Sequence, residues 1–196
     1  MINEINFIIQ QQMKGISISK LILFSLCACI IVSMIFLFRK YIMKKEGSSV
    51  TLLLFLVFSI YVCSLIYITL GNRELGSRDD ARWIPFLNIF LENGRLNLFG
   101  FVLMILNIIL FIPYGFLITL LQSKVKTLHR VFIVFTDSLL FSIIIEIVQR
   151  ITKLGYFEVE DIICNTFGGV IGCFMGSIVI FFYHKHQEKT RISLDF

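Results

Sequence analysis

The sequence predicts an all-α, polytopic integral membrane protein with about five transmembrane helices, and three observations carry that prediction. First, 57% of the 196 residues are hydrophobic and Phe alone occurs 21 times, with a mean hydropathy of +0.87. A soluble domain of this size has too little interior to hide so much apolar surface. Second, the apolar residues gather into five runs, each near the ~20 residues needed to cross ~30 Å of hydrocarbon. Third, Lys and Arg crowd the short connections on alternate sides of those runs.

The first run, Leu21–Phe38, follows a polar leader and has no small-residue cleavage site after it. It therefore reads as a retained anchor and not as a signal peptide. The second is Val50–Leu70. The longest connection, Gly71 to about Asn97, begins polar (through Arg82) and turns apolar over Trp83–Phe90. Trp favours the membrane boundary, so this short stretch reads as an interfacial or partly inserted helix, or as a hydrophobic loop over helix ends. The third run, Leu98–Leu121, contains Pro113, Tyr114 and Gly115, which suggest a kink or a break at depth. The fourth and fifth, Val131–Val148 and Ile162–Phe182, form a helical hairpin turned at Gly155. The organisation expected is two amino-terminal helices in 1–75, a three-helix membrane domain in 76–182 and a basic tail in 183–196.

Orientation follows from the basic residues. Arg39, Lys40, Lys44 and Lys45 follow the first run, Lys124, Lys126 and Arg130 follow the third, and Lys185, Lys189 and Arg191 lie in the tail. These regions alternate to share one side, which the positive-inside rule makes cytoplasmic and which leaves the amino terminus outside. Totals on the two sides differ little, so density in the short loops carries the argument. The net charge of +5 is explained by this orientation, without nucleic acid as a partner. Cys27, Cys29, Cys63, Cys164 and Cys173 lie in apolar runs with no zinc-like spacing and read as small buried hydrophobes. His184 and His186 do not complete a metal site, so no metal is expected and no motif names a cofactor.

Candidate functional residues are polar groups at membrane depth, where a charge costs roughly 2.5–3.5 kcal/mol on insertion scales. In the fourth run Ser142, Glu146, Gln149 and Arg150 fall within about 100° of one another, with Ser138 at the edge of the stripe. Asp137 lies on the opposite face, where Arg130 or a backbone group is its expected partner. In the fifth run Asp161, Asn165, Gly168 and Gly172 share a stripe, flanked by Gly169 and Gly176. Asp161 also suits a helix amino terminus, and the glycines suit close helix packing. Asn107, near mid-membrane in the third run, reads either as part of a site or as an interhelical tether.

These residues also carry a resemblance. Asn107-Ile108-Ile109-Leu110-Phe111-Ile112-Pro113-Tyr114-Gly115 resembles the N-x-x-x-F-x-P-x-G signature of VanZ-like membrane proteins. Glu146-Ile147-Val148-Gln149 resembles that family's E-x-x-Q, and Asp161-Ile162-Ile163-Cys164-Asn165-Thr166-Phe167-Gly168-Gly169 its D-x-x-x-N-T-x-G-G. Ile84-Pro85-Phe86 resembles its I-P-F. Each motif is short, but four occur in order between Trp83 and Gly176. The chain departs from the family pattern in having Arg82-Trp83 where an Asn usually precedes I-P-F. It also lacks the usual Arg between E-x-x-Q and the aspartate, so Arg150 or Lys153 would supply that cation.

The resemblance implies a multi-pass protein of the bacterial cell membrane. Its relatives are associated with low-level resistance to teicoplanin and similar lipid-tailed glycopeptides. The residues themselves point to an outer-leaflet ligand site built from Arg82, Asn107, Glu146, Gln149, Arg150, Asp161 and Asn165. Its expected partner is a membrane lipid, a lipid-linked cell-wall precursor or the drug's own lipid portion. Two other classes stay open. One is an enzyme modifying a lipid head group, with Glu146 and Asp161 as candidate catalytic groups; the other is a small lipid transporter.

Overall fold

The structure, a computed structural model, describes residues 2–13, 17–41, 49–71, 81–82, 84, 86 and 97–194. In chain order these form α1 (Ile2–Met13), α2 (Ile18–Tyr41), α3 (Ser49–Ile66) with a π-helical turn at Tyr67–Gly71, β1 (Ala81–Arg82), α4 (Leu98–Leu121), α5 (Thr127–Thr152), β2 (Phe157–Glu158) and α6 (Val159–Leu194). The five helices α2 to α6 are long and apolar enough to cross a membrane, so the chain is a polytopic α-helical membrane protein. The two short strands pair in parallel, with Ala81 opposite Phe157 and Arg82 opposite Glu158.

The helices differ in how far the protein covers them. On α2, Leu23, Phe24, Ile30, Ile31 and Met34 are all exposed, as expected of a helix apolar all round and solvated by lipid. It packs on α3, which in turn packs on α4. The densest part lies among α3, α4, α5 and α6, where Leu65, Phe111, Tyr114, Ile118, Val134, Ile145 and Cys173 form the core. Tyr114 sits at its centre, stacked on Phe141 at 5.0 Å and tilted against Phe111 and Phe58.

Small residues set the helix spacing. The α4–α6 contact is the most extensive of the fold, and a methyl group on Gly168 would lie 2.2 Å from the Ile108 carbonyl oxygen. On Gly172 it would lie 2.0 Å from the carbonyl of Ile112, and on Gly115 2.0 Å from that of Gly169. Backbone meets backbone, a contact that only glycine permits in helices driven together by packing. Gly169 instead faces the Ser138 side chain on α5.

Several expectations are corrected. Pro113 does not break the third span, because α4 is helical from Leu98 to Leu121 with Pro113 on its exposed side. Proline disturbs the turn before it, and the Tyr61 hydroxyl donates to the Leu110 carbonyl in that turn. Asp137 is not paired with Arg130. It accepts from the Tyr114 hydroxyl at 2.6 Å. Arg130 is buried and donates to the carbonyls of Gln122, Ser123 and Val125, closing the α4–α5 turn. Gly155 lies in the turn between α5 and β2, as expected; α5 itself ends at Lys153, whose backbone is left-handed (φ 55°), and the Leu154 amide reaches back to the Gln149 carbonyl. The tail is helical, since α6 runs on to Leu194. At 1.5 Å per residue its 36 residues extend about 54 Å, well past the thickness of a bilayer.

The polar leader is helical too. Helix α1 buries Ile8 and packs against α4, while the Ser17 amide donates to the Tyr67 hydroxyl at 2.9 Å. Of the Trp83–Phe90 stretch only Ile84 and Phe86 are described, so the interfacial segment expected there lies outside the described residues. Ile84 is exposed, and Phe86 has a left-handed backbone with φ of 63°.

Candidate functional site

The polar residues converge where α5 ends and α6 begins. Glu146 lies six residues inside the end of α5, about 9 Å deep along the helix. It is 1% exposed and accepts from the Glu158 amide at 3.0 Å. The 153–158 connection therefore dips back into the bundle before α6 starts. Asn107 lies nine residues inside α4, about 13 Å from its start, yet its Nδ2 donates to Oδ1 of Asp161 in the first turn of α6 at 2.6 Å. Helix α6 thus begins well below the ends of α4 and α5. We call this lowered start of α6, with the side chains around it, the recess; the helix dipole there favours negative charge.

One helical turn deeper, Asn165 Nδ2 donates to Ser142 Oγ at 2.9 Å, linking α6 to α5. Asn165 is 4% exposed, and among the described residues its Oδ1 has no hydrogen-bond partner. Ser138, a further turn along α5, is also fully buried, and its hydroxyl has no partner among the described residues. The sequence stripe of α5 and that of α6 are thus two sides of one polar seam running down from the recess.

Each candidate residue has a definite position. Asn107, Glu146, Asp161 and Asn165 line the recess and its seam. Gln149 is buried but donates to the Thr69 carbonyl at 3.2 Å, so it ties α5 to the end of α3. Arg150 is exposed at the end of α5. Arg82 lies opposite Glu158 in the strand pair, and its side chain is outside the described atoms. Two site residues were not singled out from the sequence, Glu158 and Glu160. Glu160 accepts from the Phe86 amide at 2.7 Å, so the strained turn after Pro85 is anchored to the start of α6. Together with Asp161 these carboxylates each offer an oxygen within 4.8 Å of the others. The signal was the Glu158-Val159-Glu160-Asp161 run, hidden by the ordinary preference for acids at helix starts.

The acceptors here range from half-buried (Glu158, Glu160 and Asp161) to buried (Glu146 and Asn165). The recess suits a cation, an ammonium or a hydroxyl-rich head group, and the carboxylates are also able to exchange protons. The residues that build it coincide with the motifs quoted above. Comparison with known proteins bears on that directly: the VanZ/LLP1 family model matches residues 24–182. The chain belongs to the VanZ/LLP1 family. The matched region starts within α2, so the family likeness takes in the amino-terminal helix pair as well as α4 to α6. The chain is also 29% identical over 141 residues to Protein VanZ of Enterococcus faecium, covering 68% of this chain and 77% of that protein. No solved structure matches this VanZ/LLP1 chain.

Proposed function

We propose that this protein lowers susceptibility to teicoplanin and other lipid-tailed glycopeptides from an outer-leaflet site. That site recognises an envelope lipid, a lipid-linked precursor or the drug's lipid portion. The observation that supports the reading is the set of polar contacts joining three membrane-spanning helices: Asn107 to Asp161, Glu146 to the Glu158 amide and Asn165 to Ser142. Polar groups are expensive there and persist where something binds or reacts. Membership of the VanZ/LLP1 family supports the same reading. A head group would enter the recess while apolar helix flanks hold its tail, so a drug without a tail offers the site less.

The reading requires the recess to face outward, with the amino terminus outside and the carboxy terminus in the cytoplasm. Single cysteines at Ser77 and Gln187 in a cysteine-free background test this. Labelling of position 187 but not 77 by an impermeant reagent on intact cells would overturn it. The function is tested by expressing wild type and Glu146→Gln and measuring susceptibility to teicoplanin and vancomycin. Lipids that co-purify with each protein are identified by mass spectrometry. The expected outcome is protection biased toward teicoplanin, lost in Glu146→Gln at unchanged membrane abundance. Equal protection by the variant would refute the role of Glu146. The clustered carboxylates also favour a second reading, an enzyme acting on lipid head groups. That reading takes over if teicoplanin susceptibility is unchanged while head-group composition shifts.

A further inference from the structure

Helix α5 carries a carboxylate on its outer surface. Asp137 lies ten residues inside the 26-residue helix, about 15 Å along its axis, and is exposed. At that level the surroundings of a spanning helix are hydrocarbon, in which a carboxylate is costly and calls for a partner. The Tyr114 hydroxyl engages its Oδ2, and among the described residues its Oδ1 has no partner.

A second observation is the pattern of the residues around it. Ile133, Asp137, Leu140, Ile144, Ile147 and Ile151 recur at steps of four, three, four, three and four, and every one is exposed. Alternating steps of this kind keep one stripe against a neighbouring helix through a left-handed crossing, the usual crossing in membranes. The stripe is about 27 Å long, close to the ~30 Å of a hydrocarbon core. Helix α5 meets α6 and α4 by other sides, where Val134, Ser138, Ser142, Ile145 and Gln149 are buried. Lipid tails satisfy the five aliphatic positions of the stripe, but not the carboxylate between them.

We propose that this stripe is an interface with a second copy of the chain, in which the two α5 helices pair in parallel and the Asp137 carboxyls meet. Copies inserted in one membrane share an orientation, so a two-fold axis sets the stripe against itself. A lone polar residue among aliphatic seam positions fixes the register of such a pair. Helix α5 has no basic residue between Arg130 and Arg150, so the second copy's α5 brings no cation to this level. The two Oδ1 atoms instead share one proton taken up from water, as two carboxyls in one site do. Each Tyr114 hydroxyl continues to hold the Oδ2 of its own chain.

The test uses the full chain in phosphatidylcholine–phosphatidylglycerol vesicles, with a fluorescence donor or acceptor attached to the carboxy-terminal tail. Energy transfer is followed as the protein is diluted into lipid. The expected result is a monomer–dimer isotherm, with Asp137→Leu weakening the dimer by about tenfold, the scale of an interhelical hydrogen bond in membranes. Asp137→Asn keeps a side chain able to donate and accept, and should stay within about threefold of wild type. If Asp137→Leu fails to fold, Ile144→Trp, which adds bulk to the seam at a lipid-facing position, carries the tenfold expectation. Cross-linking locates the face: with the native cysteines replaced, Ile144→Cys should form a disulfide-linked dimer, and Phe174→Cys, at an exposed position of α6, should not. Wild type that stays monomeric at every dilution would overturn the proposal. So would association unchanged in both Asp137→Leu and Ile144→Trp, or cross-linking through Phe174→Cys in place of Ile144→Cys. Cross-linking of Ile144→Cys to a different membrane protein, without self-association, would replace the second copy by a partner helix bearing a cation.

Discussion

Gly172→Ala should destabilise the α4–α6 pair severely, and the size of the effect follows from the geometry. The new methyl would lie 2.0 Å from the Ile112 carbonyl oxygen and 2.7 Å from the Phe116 amide nitrogen. Ordinary contact begins near 3.4 Å, so the helices would have to part by 3.4 − 2.0 = 1.4 Å at that point. The obstacle is backbone, which has no rotamer to change. Overpacking costs about 1–3 kcal/mol and occasionally more, and a gap of 0.5–1 Å already forfeits about a quarter to a half of each dispersion contact. A loss of at least about 3 kcal/mol is expected. Gly169→Ala differs, because its methyl would meet only Ser138 Oγ and Cβ, at 2.1 and 2.7 Å. Ser138→Gly removes both atoms, so the double variant should regain most of what Gly169→Ala loses, with a coupling of about 2 kcal/mol. Unfolding of the purified variants in mixed micelles measures these values. Wild-type stability for Gly172→Ala would refute the packing argument. So would a double variant no better than Gly169→Ala.

Three further outcomes are expected. Tyr114→Phe strips Asp137 of the hydroxyl at 2.6 Å and should cost about 1.5–3 kcal/mol, as hydrogen bonds to charged groups do; Asp137→Asn should cost less, and the reverse order by the same unfolding assay would contradict the pairing. Arg130→Met leaves three carbonyls of the α4–α5 turn without their donor and should cost about 3 kcal/mol or more, with Arg130→Lys recovering only part because an ammonium lacks the planar fork. Asn107→Leu removes the amide that fixes Asp161; it should abolish teicoplanin protection while membrane abundance stays near wild type, and intact protection would place Asn107 outside the site.

The five spans were legible from the sequence because hydrocarbon thickness imposes a length and lipid imposes a composition, and both are properties of single segments. The helix faces were legible for the same reason: a 100° step puts Glu146 with Ser142 and Asp161 with Asn165 whatever surrounds them. Family motifs added the order of these stripes. What the sequence could not decide is depth and partnership. That Asn107 and Asp161 meet depends on α6 starting below the end of α4, which is set by a connection dipping back onto Glu146. Asp137 and Arg130 looked like a pair of opposite charges seven residues apart, but α4 presents a tyrosine to one and the α4–α5 turn presents open carbonyls to the other. Glu158 and Glu160 read in the sequence only as acids of a connection, and it is the strand pair and the Phe86 amide that fix them at the start of α6. Local physics repeats along a chain and is written in it; the recess arises only when separate segments pack, and packing is decided by all of them at once.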